Sequence, residues 1–490
     1  MLFGGIDIGS SGCKVSFIDE TGRVKYSSFR QYGFVYSEDT VELDARVVLG
    51  SVFDAIKQIT CNHKVDDLKT LSAVSFGEMF VLLDGKERVL CSSIAYSDKR
   101  GAAEAERFAE KFGEERLYGI AGAPYDGMYS LAKLLWIKKH NPGAYESAEK
   151  ICLFADYVLR MLGADYHMDF SLAARTQMFD VCKREWSREI IGAAGIKDFF
   201  PKAVPSGTPV GKIGRSVANE LKLPHDLILL AGGHDQSCAA LGAGINKSGC
   251  ALDGMGSNEC IVPAFDKPMI NDTMKKNGFA CIPYAADGMY VTYAFNRTAG
   301  TVIEWYKKLS GGADYEKMFY NMPDVPTKLL FLPHFAGAAT PYMDENAVGA
   351  VSGLTLATEK EELLRGIVEG LNYEIKINLE CLKNAGFNVE KLTACGGLSQ
   401  NDSVLQIKAD ILGLPIAKSE NPHAGNAATA ALGGVATGIF KNISEAMRHT
   451  AKKKSHFYPN EANREIYCRQ FEKYKKMYAL IKELERGNGK

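Results

Sequence analysis

Three short stretches place polar residues where an apolar strand ends, and two of them suit the handling of a phosphate. Asp7-Ile8-Gly9-Ser10-Ser11-Gly12-Cys13-Lys14 lies between two strand-like segments. Glycines and serines in such a turn leave backbone N–H groups free to face phosphate oxygens. An aspartate at the end of the first strand can hold Mg²⁺, usually through the ion's waters. The same stretch would also serve as a tight hairpin with a surface aspartate. It is not a Walker A loop, since GxxxxGK[ST] is absent, nor a dinucleotide fingerprint. Gly254-Met255-Gly256-Ser257-Asn258-Glu259 is a second turn of this kind, after the strand-like residues 250–253. Two such turns suggest one nucleotide clamped between two domains. Gly232-Gly233-His234-Asp235-Gln236 follows the very apolar residues 227–231. A carboxylate at the end of a buried strand is poorly placed for a core and well placed for chemistry. A helix N-cap is the plainer alternative for Asp235, and His234 reads as a structural hydrogen-bonding partner.

The elements around these stretches repeat. Residues 2–8, 14–19 and 23–30 read as an antiparallel meander with turns at 9–12 and 20–22. A helix follows from Asp44, with Val47, Val48, Phe53 and Ile56 on one stripe. Further helices are expected at 128–140, 154–162 and 236–243. Strand-like segments return at 250–255, 259–264 and 289–295, then helices at 360–383, 402–412 and 424–438, the last rich in small residues. A β-rich start followed by helices thus occurs twice. Two α/β domains are expected, residues 1–244 and 245–490.

Bulk properties narrow the class. A chain of 490 residues exceeds what one core usually fills. The net charge of −1 argues against nucleic acid or an anionic membrane as partner. No run of 18 apolar residues is present, and Met1 to Asp7 lacks the basic, then apolar, layout of a secretory signal. The twelve cysteines form no CxxC pair and sit mostly singly in apolar context, as reduced thiols of a cytoplasmic protein would. The nine histidines show no HxxxH or HExxH spacing.

Taken in order along the chain, the motifs resemble those of the FGGY carbohydrate kinases, the family that includes glycerol kinase and xylulose kinase. Gly5-Ile6-Asp7-Ile8-Gly9-Ser10-Ser11 resembles the family's first phosphate motif. Residues 128–140, with Lys133 and Trp136, fit its first signature. Gly349 to Leu354, continued by Glu362-Leu363 and Ile367-Val368-Glu369, fit the second except at Gly366, where Ala or Ser is usual. Gly232 to Gln236 resemble the catalytic Asp segment, and Ala394 to Asp402 the adenosine segment. The resemblance covers residues 5 to about 435. It implies an α/β fold of two ribonuclease-H-like, actin-like ATPase domains around a central cleft. Sugar would sit mainly on the first and nucleotide mainly on the second. ATP and Mg²⁺ are the implied cofactors, with Asp7 near the metal, through water, and Asp235 as the catalytic base. Gly9, Ser10, Ser11, Lys14, Gly256 and Ser257 would face phosphates, Ser257 standing where Thr is usual. Gly300 and Glu304 match a helix near the nucleotide, and Gly397 and Asn401 the adenosine side. A second copy of the chain is a candidate partner.

Departures bear on the substrate. Ser75-Phe76-Gly77-Glu78-Met79 stands where xylulose kinases carry Gln-Met-His-Gly, and it keeps the acid but not the arginine of glycerol kinases. Tyr96-Ser97-Asp98-Lys99-Arg100 has Tyr for the family's Trp, and Gly337 to Pro341 replaces Gly-Glu-Arg-x-Pro. Glu78, Asp98, Asp235 and Gln236 are the expected contacts to a ketose or polyol, whose hydroxyls donate to carboxylates. The plainer alternative for Glu78 and Asp98 is a pair of surface-loop acids, and a polyol site, which needs few but placed polar groups, is the reading preferred. A catalytically inactive sugar-binding regulator and an actin-like ATPase are the alternative functions.

Overall fold

The computed structural model describes residues 1–286, 288–312, 314–420 and 424–487. Strand β1 (Leu2–Ile8) is apolar along its length and buried at every position but Asp7, so it can only lie inside a sheet. It pairs antiparallel with β2 (Gly12–Asp19), which pairs with β3 (Val24–Gln31), giving the expected meander. On its other side β1 runs parallel to β4 (Leu68–Ser75). With β5 (Pro209–Lys212) and β6 (Ile228–His234) the sheet order is β5-β6-β4-β1-β2-β3.

Helix α1 (Ala45–Asn62) starts at Asp44, whose carboxylate accepts from the Arg46 N–H at 2.8 Å. Its inner stripe is Val48, Val52, Ile56 and Ile59, whereas Val47 is exposed. Helices α2 (Ser130–His140), α3 (Phe154–Leu162) and α4 (Asp235–Gly242) complete the parts of the first half that frame the cleft.

The second sheet repeats the plan. Strands β7 (Cys250–Met255) and β8 (Glu259–Phe265) form an antiparallel hairpin. The short strands β9 (Ile282–Pro283), β10 (Tyr290–Val291) and β11 (Ala294–Asn296) lie on its β8 side. Strands β12 (Lys391–Cys395) and β13 (Ile416–Ser419) run parallel to β7, and β14 (Lys453–Phe457) closes the edge. The single strand expected over 289–295 is broken at Thr292 and Tyr293, because Tyr293 turns toward the first half. Helices α5 (Gly300–Leu309), α6 (Lys360–Asn384) and α7 (Asp402–Leu412) follow in order.

The two sheets divide between His234 and Cys250, but the helices do not follow that division. Helix α8 (Ala424–Ala436) leaves β13 and packs on the first sheet, where Ala424, Ala428, Ala431 and Leu432 join that core. A Cβ on Gly242 of α4 would stand 1.7 Å from the Ala424 carbonyl oxygen. The crossing therefore needs a glycine on α4 and small residues on α8. Helix α9 (Ile443–Thr450) stays with the first core through Ala446 and Met447, so the residues after 244 do not all pack with the second sheet. No helix among the described residues is long and apolar enough to cross a membrane.

Candidate active site

Strands β1 and β6 both run parallel to β4, and their registers bring two carboxylates to one edge. Val74 of β4 faces Asp7 on one side and Gly233 on the other. Asp7 thus ends β1 at the level where Asp235 leaves β6. The β6 register shifts between Leu230 and Gly233, and a Cβ on Gly232 would lie 1.6 Å from the Ala73 oxygen. Only glycine allows the strand to close on β4 there.

Asp235 is the first residue of α4, and His234 takes the N-cap position. The cap reading of Asp235 therefore does not hold. Its Oδ1 accepts from the Gln236 N–H at 2.6 Å, and its side chain is 34% exposed, open to the cleft. Burial pushes Asp235 up to about 7; the charges of Asp7 and Glu78 add to this, and the Gln236 N–H and Arg175 oppose it. Burial likewise pushes Asp7 up to about 6, against the Lys14 ammonium, which lies across the β1–β2 ladder. Two carboxylates that repel each other in a sheltered cleft are a site short of positive charge. Among the described residues no group of three or more His, Cys, Asp or Glu could hold a metal ion. The donor set fits a cation held by one or two carboxylates together with ligand oxygens, as Mg²⁺ is on nucleotides.

The first turn closes through a Gly9 N–H to Gly12 carbonyl bond of 2.9 Å, and the Tyr32 hydroxyl donates to the Gly9 carbonyl at 2.9 Å. Ser10 pairs with the Tyr96 hydroxyl, and Ser11 is exposed.

Glu78 follows β4 in the left-handed region, with φ of 66°, a costly conformation for a side chain of this type. The Arg175 Nε donates to its Oε1, and Ser130 Oγ donates to its backbone carbonyl. The guanidinium lies 5.0 Å from the Tyr129 ring centroid and 5.6 Å from that of Tyr293. Burial raises the Glu78 carboxyl, opposed by Arg175. Tyr293, from the second half, meets His234 Nδ1 at 2.9 Å with its hydroxyl. Burial and the nearby Arg175 hold His234 well below its ordinary value, so it is neutral. Arg175, Tyr129 and Tyr293 were not expected from the sequence. Arg175 could have been flagged as a lone cation inside the run Ser171-Leu172-Ala173-Ala174-Arg175-Thr176.

Asp98 lies elsewhere in its bonding. Its carboxylate is fully covered and accepts from the Val41 N–H at 2.7 Å and from Arg100 Nη2 at 2.7 Å. Burial pushes it up, but these hydrogen bonds prevail and hold it below the ordinary carboxylate value. Lys133 donates to the Arg100 carbonyl beneath it at 2.6 Å. Both carboxylates are thus buried, Glu78 against Arg175 and near enough for its charge to bear on Asp235, Asp98 against Val41 and Arg100.

On the second half, Gly256, Ser257, Gly300, Glu304, Gly397 and Asn401 line one cavity of about 590 Å³, with Phe319 and Leu398 as apolar walls. All six were expected on the nucleotide side. The Gly300 N–H donates to the Gly256 carbonyl at 3.0 Å, which sets α5 against the turn. Glu304 accepts from the Tyr315 hydroxyl at 2.7 Å. Asn401 caps α7 by accepting from the Val404 N–H. Gln236 bridges the halves: its Oε1 would be 3.9 Å from a Cβ on Gly254. One helix start thus carries Asp235, on which the charge of Asp7 bears, and Gln236, which reaches β7 at Gly254.

The FGGY family of carbohydrate kinases matches the chain twice, its N-terminal domain over residues 2–242 and its C-terminal domain over residues 261–437. Xylulose kinase from Bacillus subtilis is 28% identical over 98% of this chain and 97% of its own length. Glycerol kinase from Streptococcus pyogenes is 25% identical over 89% of this chain and 88% of its own. The crystal structure of a xyloylose kinase from Brucella ovis superposes with a TM-score of 0.90 at 24% identity. It covers 99% of this chain and 100% of that one, a likeness of fold.

Proposed function

The chain belongs to the FGGY family of carbohydrate kinases, and on that premise we propose that Asp235 is the base that activates the acceptor hydroxyl. The reaction is ATP-dependent phosphorylation of a small sugar or polyol. As the hydroxyl oxygen bonds the γ-phosphorus, its proton passes to Asp235. The bond from that phosphorus to the oxygen bridging the β-phosphate breaks, leaving ADP and the sugar phosphate. Such a transition state needs positioning and charge stabilisation more than a strong base. The Gly9 and Gly256 N–H groups close their turns on the Gly12 and Asn258 carbonyls, and the turns' other N–H groups are suited to the phosphate oxygens, the 590 Å³ cavity to the adenosine end. Asp7 would hold Mg²⁺, through water, and the ion when bound would offset the negative charge of the phosphates.

The observation that carries this reading is the meeting of Asp7, Asp235 and Gln236 at one sheet edge between the two turns. A catalytically inactive sensor would have no use for that convergence. Glu78 is proposed to accept a hydroxyl of the substrate with the carboxylate capacity that Arg175 leaves open. Because Glu78 and Arg175 cancel in charge, the substrate end they meet is neutral. A ketose of the xylulose or ribulose type, or a polyol, fits; the resemblance to a xylulose kinase over nearly the whole chain supports the ketose. The test is ADP release across ketoses, aldoses, polyols and sugar acids. One neutral polyhydroxy compound should raise ADP release far above the sugar-free rate. Folded protein stimulated by none, or best by a sugar acid, would contradict the substrate reading.

A further inference from the structure

An ion cluster behind the second turn has no role in the chemistry above. Lys408 on α7 is 1% exposed, and its Nζ lies 2.7 Å from Asp253 Oδ2 and 2.5 Å from Glu259 Oε1. Asp253 is in β7, and Glu259 is the first residue of β8. The two buried carboxylates therefore bracket the turn that carries Gly256 and Ser257. Helix α7 begins after Asn401, which lines the same cavity as that turn. The ammonium is thus a strut from the phosphate-side hairpin to the helix that starts at the other end of the cavity.

Such a cluster is a poor way to stabilise a core. Each buried ion carries a desolvation cost of several kcal/mol, and well-packed apolar residues in its place are often at least as stable. Buried ionic groups are best explained where they fix a register between elements. Backbone contacts hold the turn on its α5 side, the Ala299 N–H donating to the Ser257 carbonyl at 2.9 Å. Lys408 supplies a side-chain tie from the α7 side, to both strands at once. Burial pushes the Glu259 carboxyl up, the Lys408 ammonium opposes this and Asp253 adds to it.

We propose that Lys408, Asp253 and Glu259 form a positioning group that fixes the Gly256-Ser257 turn relative to Asn401 and thereby sets affinity for the nucleotide's phosphates. The inference rests on the reading that this cavity takes a nucleotide. Its test compares ADP with adenosine by titration calorimetry, since only ADP reaches the turn. The variants are Glu259→Gln, which is isosteric and leaves Lys408 paired with Asp253, and the neutral triple variant Asp253→Asn/Glu259→Gln/Lys408→Met. ADP dissociation constants should rise about tenfold in the triple variant and severalfold in Glu259→Gln, because small displacements of preorganised donors are costly. Adenosine affinity should stay within about twofold, since its contacts lie away from the turn. A triple variant that does not fold leaves the decision to Glu259→Gln. ADP bound equally by wild type and Glu259→Gln, or ADP and adenosine weakened equally, overturns the inference alone. Wild-type protein that binds neither ligand overturns the nucleotide reading and the inference with it.

Discussion

Arg175→Met removes the cation that holds the sugar side of the cleft together. The Glu78 and Arg175 side chains are 5% and 8% exposed, so neither charge can turn to water. Breaking a buried pair by deleting one partner costs about 3–5 kcal/mol. The stranded carboxylate has one escape, which is to take up a proton. Burial already raises Glu78 above its ordinary 4.5 while Arg175 opposes the rise; without the guanidinium the rise must be larger. A group raised in the folded state contributes stability that is fully present below its unfolded value and is lost as pH climbs toward the folded value. In Arg175→Met that loss extends to higher pH than in wild type. The variant's deficit should therefore be smallest in mildly acidic solution and grow as pH rises through neutrality. Thermal melting of both proteins across that range reads it. Glu78→Gln/Arg175→Met removes both charges and should recover most of the stability while leaving the sugar KM high. A deficit of the same size at both ends of the pH range, or a double variant no more stable than Arg175→Met, would refute the reasoning.

Asp98→Asn should lower the melting temperature while leaving the sugar KM within about twofold of wild type, because its buried carboxylate is engaged by the Val41 N–H and Arg100. A large rise in KM would restore Asp98 to the sugar site. Gly242→Ala should destabilise the protein by about 1–3 kcal/mol or more, since its Cβ would collide with the Ala424 carbonyl and force α4 from α8. Circular-dichroism melting measures the loss. A Cβ on Gly300 would sit 2.7 Å from the Gly256 oxygen, so Gly300→Ala should raise the ATP KM about tenfold with the sugar KM unmoved. Steady-state kinetics with each substrate varied in turn separates the two. Asp7→Asn should weaken productive binding of Mg·ATP more than it lowers turnover at saturating ATP, because it removes charge beside the phosphates rather than the base; a magnesium titration of the ATP KM checks it.

Local signals carried much of this structure. The apolar run of β1, the Asp44 cap of α1, and the glycine stop after α7 each announce an element without help from distant residues. That Gly256, Ser257, Gly300, Glu304, Gly397 and Asn401 belong together was legible because turn glycines and helix starts have short-range signatures. What escaped depends on contacts far apart in the chain. Arg175 meets Glu78 across 97 residues, and Tyr293 reaches His234 across 59; neither pairing leaves a trace in local spacing. The bonding of Asp98 was hidden for the same reason. An acid two residues before an arginine looks ready for a ligand, and only the fold shows that Arg100 and the Val41 N–H have already taken its oxygens. The return of α8 to the first sheet is written in its small residues, but only α4 reveals what they fit.

Turnover of Asp235→Asn with the substrate identified by ADP release tests the central claim most directly. The amide keeps the shape and one acceptor but cannot take the proton. The expected result is a fall in kcat of about 10²–10⁴-fold or more, with ATP affinity nearly unchanged. Near-normal turnover would show that Asp235 is not the base and would contradict the mechanism.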